Sequence, residues 1–162
     1  MPVNGRSAIF ETLLDGSAQV SDGALLGGRV LILPLDSFVD DRGTLTPVSF
    51  AAWRFTPVRA FAVCAPAGSV RGGHAHRHCR QILMRVSGEV DVDVDDGHRA
   101  TTVRLDDSCP AVLVEPGVLS RQTYLSSGSS IVVFCDRDYD PKDYVQQSTS
   151  GVASTSRPRQ SL

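Results

Sequence analysis

Arg71-Gly-Gly-His74-Ala-His76-Arg-His78-Cys-Arg-Gln81, followed by the apolar run 82–86 and by Ser87-Gly88, is the stretch from which the rest of the chain is read. His74 and His76 are two residues apart, so an extended strand projects both imidazoles from one face while Ala75 points the other way. Gln81 stands an odd number of residues beyond His76 and shares that face only if the chain turns between Arg77 and Arg80. A second strand, 81–86, then starts after the turn. A lone surface histidine beside a turn is commonplace. Two at strand spacing, behind Arg-Gly-Gly and ahead of a strongly apolar strand, point to a pair of titratable groups aimed inward.

On both sides of this stretch the chain reads as short strands separated by turn residues. Residues 29–35 form a first strand, Asp40-Asp41-Arg42-Gly43 a turn into a strand over 44–50, and residues 58–65 a buried strand. Residues 89–95 alternate strictly, with Val90, Val92 and Val94 on one face and Asp91, Asp93 and Asp95 on the other, which predicts one core side and one solvent side. The acid run is not a calcium loop. Counted from Asp91, the required glycine falls one place late at Gly97, and position twelve is Thr102. Asp96-Gly97 is instead a hairpin turn into 101–105. Strands over 111–114, 119–124 and 131–135 follow, then a short closing element over 142–145. Many short strands with at most a trace of helix predict an all-β sandwich or barrel, specifically a jelly roll with its ligand held inside.

The 162 residues make one domain over 29–146. Ahead of it, residues 1–28 read as an irregular extension in which Phe10, Leu13 and Leu14 have helical spacing. Residues 147–162 are too poor in apolar side chains to order themselves. The net charge of −2 and the scattered basic residues imply neither a nucleic-acid nor a membrane surface. With no apolar leader and four cysteines lacking CxxC spacing, reduced thiols in a cytoplasm are expected.

His74-x-His76, Gln81 and Gly88 resemble the first cupin motif, whose Gln81 position is normally Glu. Pro116-Gly117 with Ser120 is similar to the second, which normally ends in His. Two imidazoles remain of four ligands, and glutamine and serine are poor substitutes, so no metal is expected. His78 and Cys79 fall in the inferred turn, Cys79 with the wrong parity, which discounts zinc.

A narrower resemblance covers residues 29–146. Asp41-Arg42-Gly43-x-Leu45, Arg71-Gly72-x-His74-Ala75-His76, Gln81, Asp95-Asp96-Gly97, Pro116-Gly117 and Tyr139-Asp140-x-x-Asp143-Tyr144 together resemble the nucleotide-sugar 3,4-ketoisomerases, the WxcM-like branch of the cupins. The resemblance implies a cofactor-free homodimer that converts a dTDP-4-keto-6-deoxyhexose into its 3-keto isomer in deoxysugar biosynthesis. Ketone transfer needs a base at C3, an enediol and an acid at C4, and imidazole is matched to that at neutral pH. His76 is the expected base, with His74 orienting it or stabilising the enediolate. Arg71 and Arg42 are candidates for the diphosphate or the oxyanion, because a guanidinium offers a rigid fork of donors. Gln81, Ser120, Phe61 and Tyr124 are the remaining candidate substrate contacts, Tyr124 as a base-stacking ring.

Two stretches depart from the family. Ser120 stands where it has His or Arg, after Leu119 in place of Trp, and Phe61-Ala62 replace a Tyr pair. Three alternatives follow: a related isomerase or epimerase on another activated sugar, a sugar-nucleotide-binding cupin without turnover, and a metal-dependent cupin oxygenase.

Overall fold

In the computed structural model the described residues are 23–145. The expected helix around Phe10 to Leu14 and the C-terminal tail from residue 146 lie outside them. Two antiparallel sheets face each other, as the alternating strands predict. One sheet is built, in spatial order, from β1 (Ala24–Leu25), β2 (Val30–Leu33), β10 (Ala111–Val114), β7 (Gln81–Ser87), β12 (Ser130–Cys135) and β5 (Arg59–Cys64). The other runs β13 (Tyr144–Val145), β6 (Val70–His76), β11 (Leu119–Tyr124), β8 (Val90–Asp95) and β9 (Ala100–Leu105). β3 (Phe38–Asp40) and β4 (Gly43–Leu45) form a separate hairpin.

Side-chain periodicity explains each strand's place. β8 buries Val90, Val92 and Val94 and turns Asp91, Asp93 and Asp95 outward, so its period of two is read by burial as it was by composition. β10 is buried at all four positions because β2 and β7 flank it and apolar residues cover both faces. The larger core cluster lies between the sheets and includes Leu83, Val92, Val103, Val112, Tyr124 and Ile131. A smaller one, Leu33, Phe55, Ile82, Ala111 and Leu113, is packed by Phe50, Trp53 and Phe134.

Two strand boundaries differ from expectation. The sheet begins ahead of residue 29, because Ala24 and Leu25 pair with Leu31 and Val30. The strand expected over 44–50 stops at Leu45. Phe50–Trp53 instead form a 3-10 turn that sets Phe50 edge-on against Phe134, ring centroids 4.9 Å apart, and shields apolar surface that a strand would leave open. At the predicted hairpin, Asp96 N–H donates to Arg99 O and Gly97 has φ +86°, a left-handed conformation suited to glycine.

Candidate active site

Between the two sheets lies a cavity of about 770 Å³ lined on one side by His74, His76 and Tyr144 and elsewhere by Arg71, Phe61, Gln81, Leu83, Ser120, Gln122 and Val133. β6 supplies the histidines. Within its sheet it lies between β11, with Ser120 opposite His74, and β13, with Tyr144 opposite His76. The imidazoles sit on one face as their spacing predicts, ring centroids 5.2 Å apart. Tyr144 packs on both, at 4.4 Å from His74 and 4.9 Å from His76, and restricts their rotation.

The turn between Arg77 and Arg80 is held by one carboxylate. Asp143 accepts the backbone N–H of His78 at 2.9 Å and of Cys79 at 3.3 Å, and its carbonyl accepts Arg77 N–H at 2.8 Å. This reversal carries Gln81 onto the opposing sheet and into the same cavity, as the parity of the sequence required. Gln81 Nε2 donates to Cys135 Sγ at 3.6 Å.

The same carboxylate orders the buried His76. Asp143 Oδ2 lies 3.0 Å from His76 Nδ1. Burial alone would raise the Asp143 carboxyl, but the hydrogen bonds from His76, His78 and Cys79 outweigh it and hold it below the usual carboxylate range. An ionised acceptor fixes the proton on Nδ1 and leaves the Nε2 lone pair free. His76 Nε2 is buried with no hydrogen-bond partner among the described residues. His74 is held below the ordinary histidine value, first by burial and then by repulsion from His76, so it is neutral at neutral pH.

Ser120 and Gln122 present hydroxyl and amide groups to the cavity. Gln122 Nε2 donates to Ser120 Oγ at 3.2 Å, leaving the serine proton for another acceptor. Gly72 is required beside them: its φ is +74°, and a Cβ would stand 2.7 Å from both Gln122 Oε1 and the Ser120 carbonyl. Arg71 is exposed on the cavity lining and makes no ion pair among the described residues. Phe61 lines the cavity with the Arg59 guanidinium 5.1 Å from its ring.

Two expected site residues lie elsewhere. Arg42 is on the β3–β4 hairpin, 90% exposed and paired with Asp40, outside the cavity lining, because that hairpin belongs to neither facing sheet. Tyr124 shares the inward face of β11 with Ser120 and Gln122 but is fully buried in the core, so no ring face is open for stacking. Its hydroxyl is buried and has no hydrogen-bond partner among the described residues. Conversely, Asp143, Tyr144 and Gln122 received no role in the sequence reading. The motif Tyr139-Asp140-x-x-Asp143-Tyr144 held the first two, and the even spacing from Ser120 held the third.

Comparison with known proteins gives the chain's relatives and its fold. A relative from Aneurinibacillus thermoaerophilus, TDP-4-oxo-6-deoxy-alpha-D-glucose-3,4-oxoisomerase, is 27% identical over 118 residues, 72% of this chain and 85% of the relative. QdtA, a sugar 3,4-ketoisomerase from Thermoanaerobacterium thermosaccharolyticum solved with TDP, superposes with a TM-score of 0.68 at 21% identity, covering 74% of this chain and 88% of that one. ChmJ, a 3'-monoepimerase from Streptomyces bikiniensis solved with dTDP-quinovose, gives 0.70 at 18% identity, covering 75% and 71%. These two establish a shared fold. The family model described as FdtA: WxcM-like, C-terminal matches residues 29–154, most of the chain, and the protein therefore belongs to that family.

Proposed function

We propose that this enzyme moves the ketone of a dTDP-4-keto-6-deoxyhexose from C4 to C3, with His76 as the proton-transferring base. The observation that carries the reading is His76 itself: Nδ1 is tied to Asp143, while Nε2 is buried, unpartnered and on a ring that lines the cavity. The oxoisomerase relative acts on a sugar nucleotide of this class by its name, which supplies the substrate.

The chemistry is a paired proton transfer. His76 Nε2 takes the C3 proton, and Asp143 stabilises the imidazolium that forms. Charge builds on the C4 oxygen, where neutral His74 donates a hydrogen bond. The proton leaving the C3 hydroxyl goes to the C4 oxygen, and the proton held by the His76 imidazolium is returned at C4, which completes the 3-ketone and restores the base. Ser120 and Gln122 hydrogen-bond the sugar, and unpaired Arg71 attracts the diphosphate. With Gln81 and Ser120 at two of the four cupin ligand positions, the His74/His76 pair is suited to moving protons.

Incubation with dTDP-4-keto-6-deoxyglucose in heavy water, followed by NMR at C3 and C4, tests this. The expected result is a 3-keto product carrying deuterium, abolished in His76→Asn while binding persists. Neither isomer nor exchange from the native protein would sink the isomerase reading and leave a binding protein. Exchange without net isomer would favour the second reading, an epimerase-like enzyme, which Ser120 favours because it replaces the family's ionisable side chain with a hydroxyl. A homodimer is supported by the β5 edge, unpaired among the described residues, and by the exposed Phe38, Val39 and Leu45 of the hairpin, and sedimentation equilibrium reads it directly. A reducing cytoplasm suits the four free cysteines.

A further inference from the structure

The turn that positions His76 also builds a second donor set. Cys79, discounted as a ligand on strand parity, leaves the strand at that turn and comes back toward the histidine. His76, Cys79 and Asp143 are all buried, and each offers a ligand atom within 4.8 Å of the others. Three atoms so spaced leave a point within about 2.8 Å of all of them, roughly half an ångström outside bonding distance for zinc. A further sulfur adjoins them: the Cys79 thiol, which donates to the Arg80 carbonyl at 3.3 Å, lies beside Cys135, whose sulfur accepts N–H groups from Gln81 and Arg59. Imidazole, carboxylate and two adjacent sulfurs suit zinc or cadmium and do not suit magnesium or calcium.

We infer that His76, Cys79 and Asp143, with Cys135 as the nearest fourth donor, form an inhibitory site for a thiophilic divalent cation. The cation takes His76 through Nδ1, the nitrogen already turned to Asp143. Cys79 releases its thiol proton to solvent. The imidazole proton shifts from Nδ1 to Nε2, so the nitrogen that serves as base becomes a donor. Metal occupancy and base action therefore exclude one another, whereas Arg71, Ser120 and Gln122 still face the sugar nucleotide. Binding of the cation stands independently of the isomerase reading; only its inhibitory consequence rests on it.

Titration of the reduced full-length chain with CdCl2, without substrate, tests the site. The expected signal is an ultraviolet thiolate-to-cadmium charge-transfer band saturating at one equivalent and displaced by zinc. Cys79→Ala should abolish it, Cys64→Ser and Cys109→Ser should preserve it, and Asp143→Asn should weaken binding by about 10- to 100-fold. If Cys79→Ala fails to fold, His76→Asn keeps both sulfurs and should weaken cadmium binding similarly. A band that never saturates, that survives in Cys79→Ala, or that is as tight in folded His76→Asn overturns the site. In turnover, cadmium should lower kcat with KM little changed, and a matching rise in KM would overturn the exclusion argued here. Loss of the band with normal turnover defeats the metal site alone, and a normal band with no turnover in metal-free protein defeats the isomerase reading alone.

Discussion

β6 and β8 each carry ionisable side chains two residues apart, and they put them to opposite use. On β8 the intervening residues are Val90, Val92 and Val94, at 0 to 1% exposure, so the core claims the valines and the carboxylates face outward. There they meet arginines on neighbouring strands: Asp91 pairs with Arg104 at 2.8 Å and Asp93 with Arg121 at 2.8 Å. On β6 the residue between the two histidines is Ala75, which is itself fully buried, so both faces of the strand are covered there. The imidazoles turn inward, where Tyr144 and Asp143 hold them. A period of two thus says that groups share a face, and it names that face only where the residues between them are strongly apolar and the groups themselves charged, as on β8.

The contrast is broken most directly by making one substitution in both places. Asp143→Asn removes the charge that sets the His76 tautomer, and kcat should fall by about 10²- to 10⁴-fold, the range for loss of general acid–base action. KM should stay near the native value, and the nitrogen chemical shifts of His76 should show a mixture of tautomers that a purely structural role would not produce. Asp93→Asn on β8 should leave kcat within about two-fold, as a substitution away from the reacting groups. Equal losses in the two variants would mean that the histidine wall has no special function.

Backbone strain separates the strands next. β8 has no positive φ, whereas β6 passes through Gly72 at +74° and Gly73 at +83°. Gly72→Ala should lower unfolding free energy by about 1–3 kcal/mol in urea denaturation, the cost of a non-glycine residue in a sparsely populated conformation. It should also weaken substrate binding by displacing the Gln122 side chain. An unchanged midpoint would show that β6 can relax around a Cβ.

Acid distinguishes the wall more gently. The His74 pKa is lowered from 6.5, so as pH falls below 6.5 the unfolded chain gains protons before the folded one and stability declines. Asp143 is lowered from 3.8, so its contribution is present above that value and is lost as pH falls through its folded pKa. Stability should therefore drop in two stages on acidification. His74→Asn should erase the upper stage, measured as denaturation midpoint against pH, and persistence of that stage would transfer it to another group.

What the sequence disclosed follows the same division. Alternation placed β8 correctly on both faces, and parity tied Gln81 to the histidines' side only through a turn between Arg77 and Arg80, which the structure has. Asp143 escaped because it acts on His76 from 67 residues away, through a contact that exists only once β13 lies beside β6. Cys79 escaped for a related reason: strand parity stops describing a side chain where the strand ends, and the Asp143 carboxylate bends the chain at that place. Tyr124 shows the limit along the other axis. The sequence offered its ring for base stacking, but depth between the sheets depends on tertiary packing, which set that ring in the core. Arg42 had the right chemistry on a hairpin that pairs with neither facing sheet.

The smallest effect lies on the outer face of β8. Arg121 donates to Asp93 through Nε at 3.1 Å and Nη2 at 2.8 Å, and Thr102 adds a hydroxyl at 2.7 Å, so Asp93 is the best-held acid of that strand. Even so, both partners reach solvent, where water and salt screen the pair and ordering two side chains offsets the attraction. A double-mutant cycle with Asp93→Asn and Arg121→Gln should give a coupling of about 0.5 kcal/mol that declines as salt is raised. A coupling of several kcal/mol, insensitive to salt, would mean that this face is covered in solution. The outer row of β8 would then be a buried interface, and the difference drawn between the two strands would be one of partner rather than of burial.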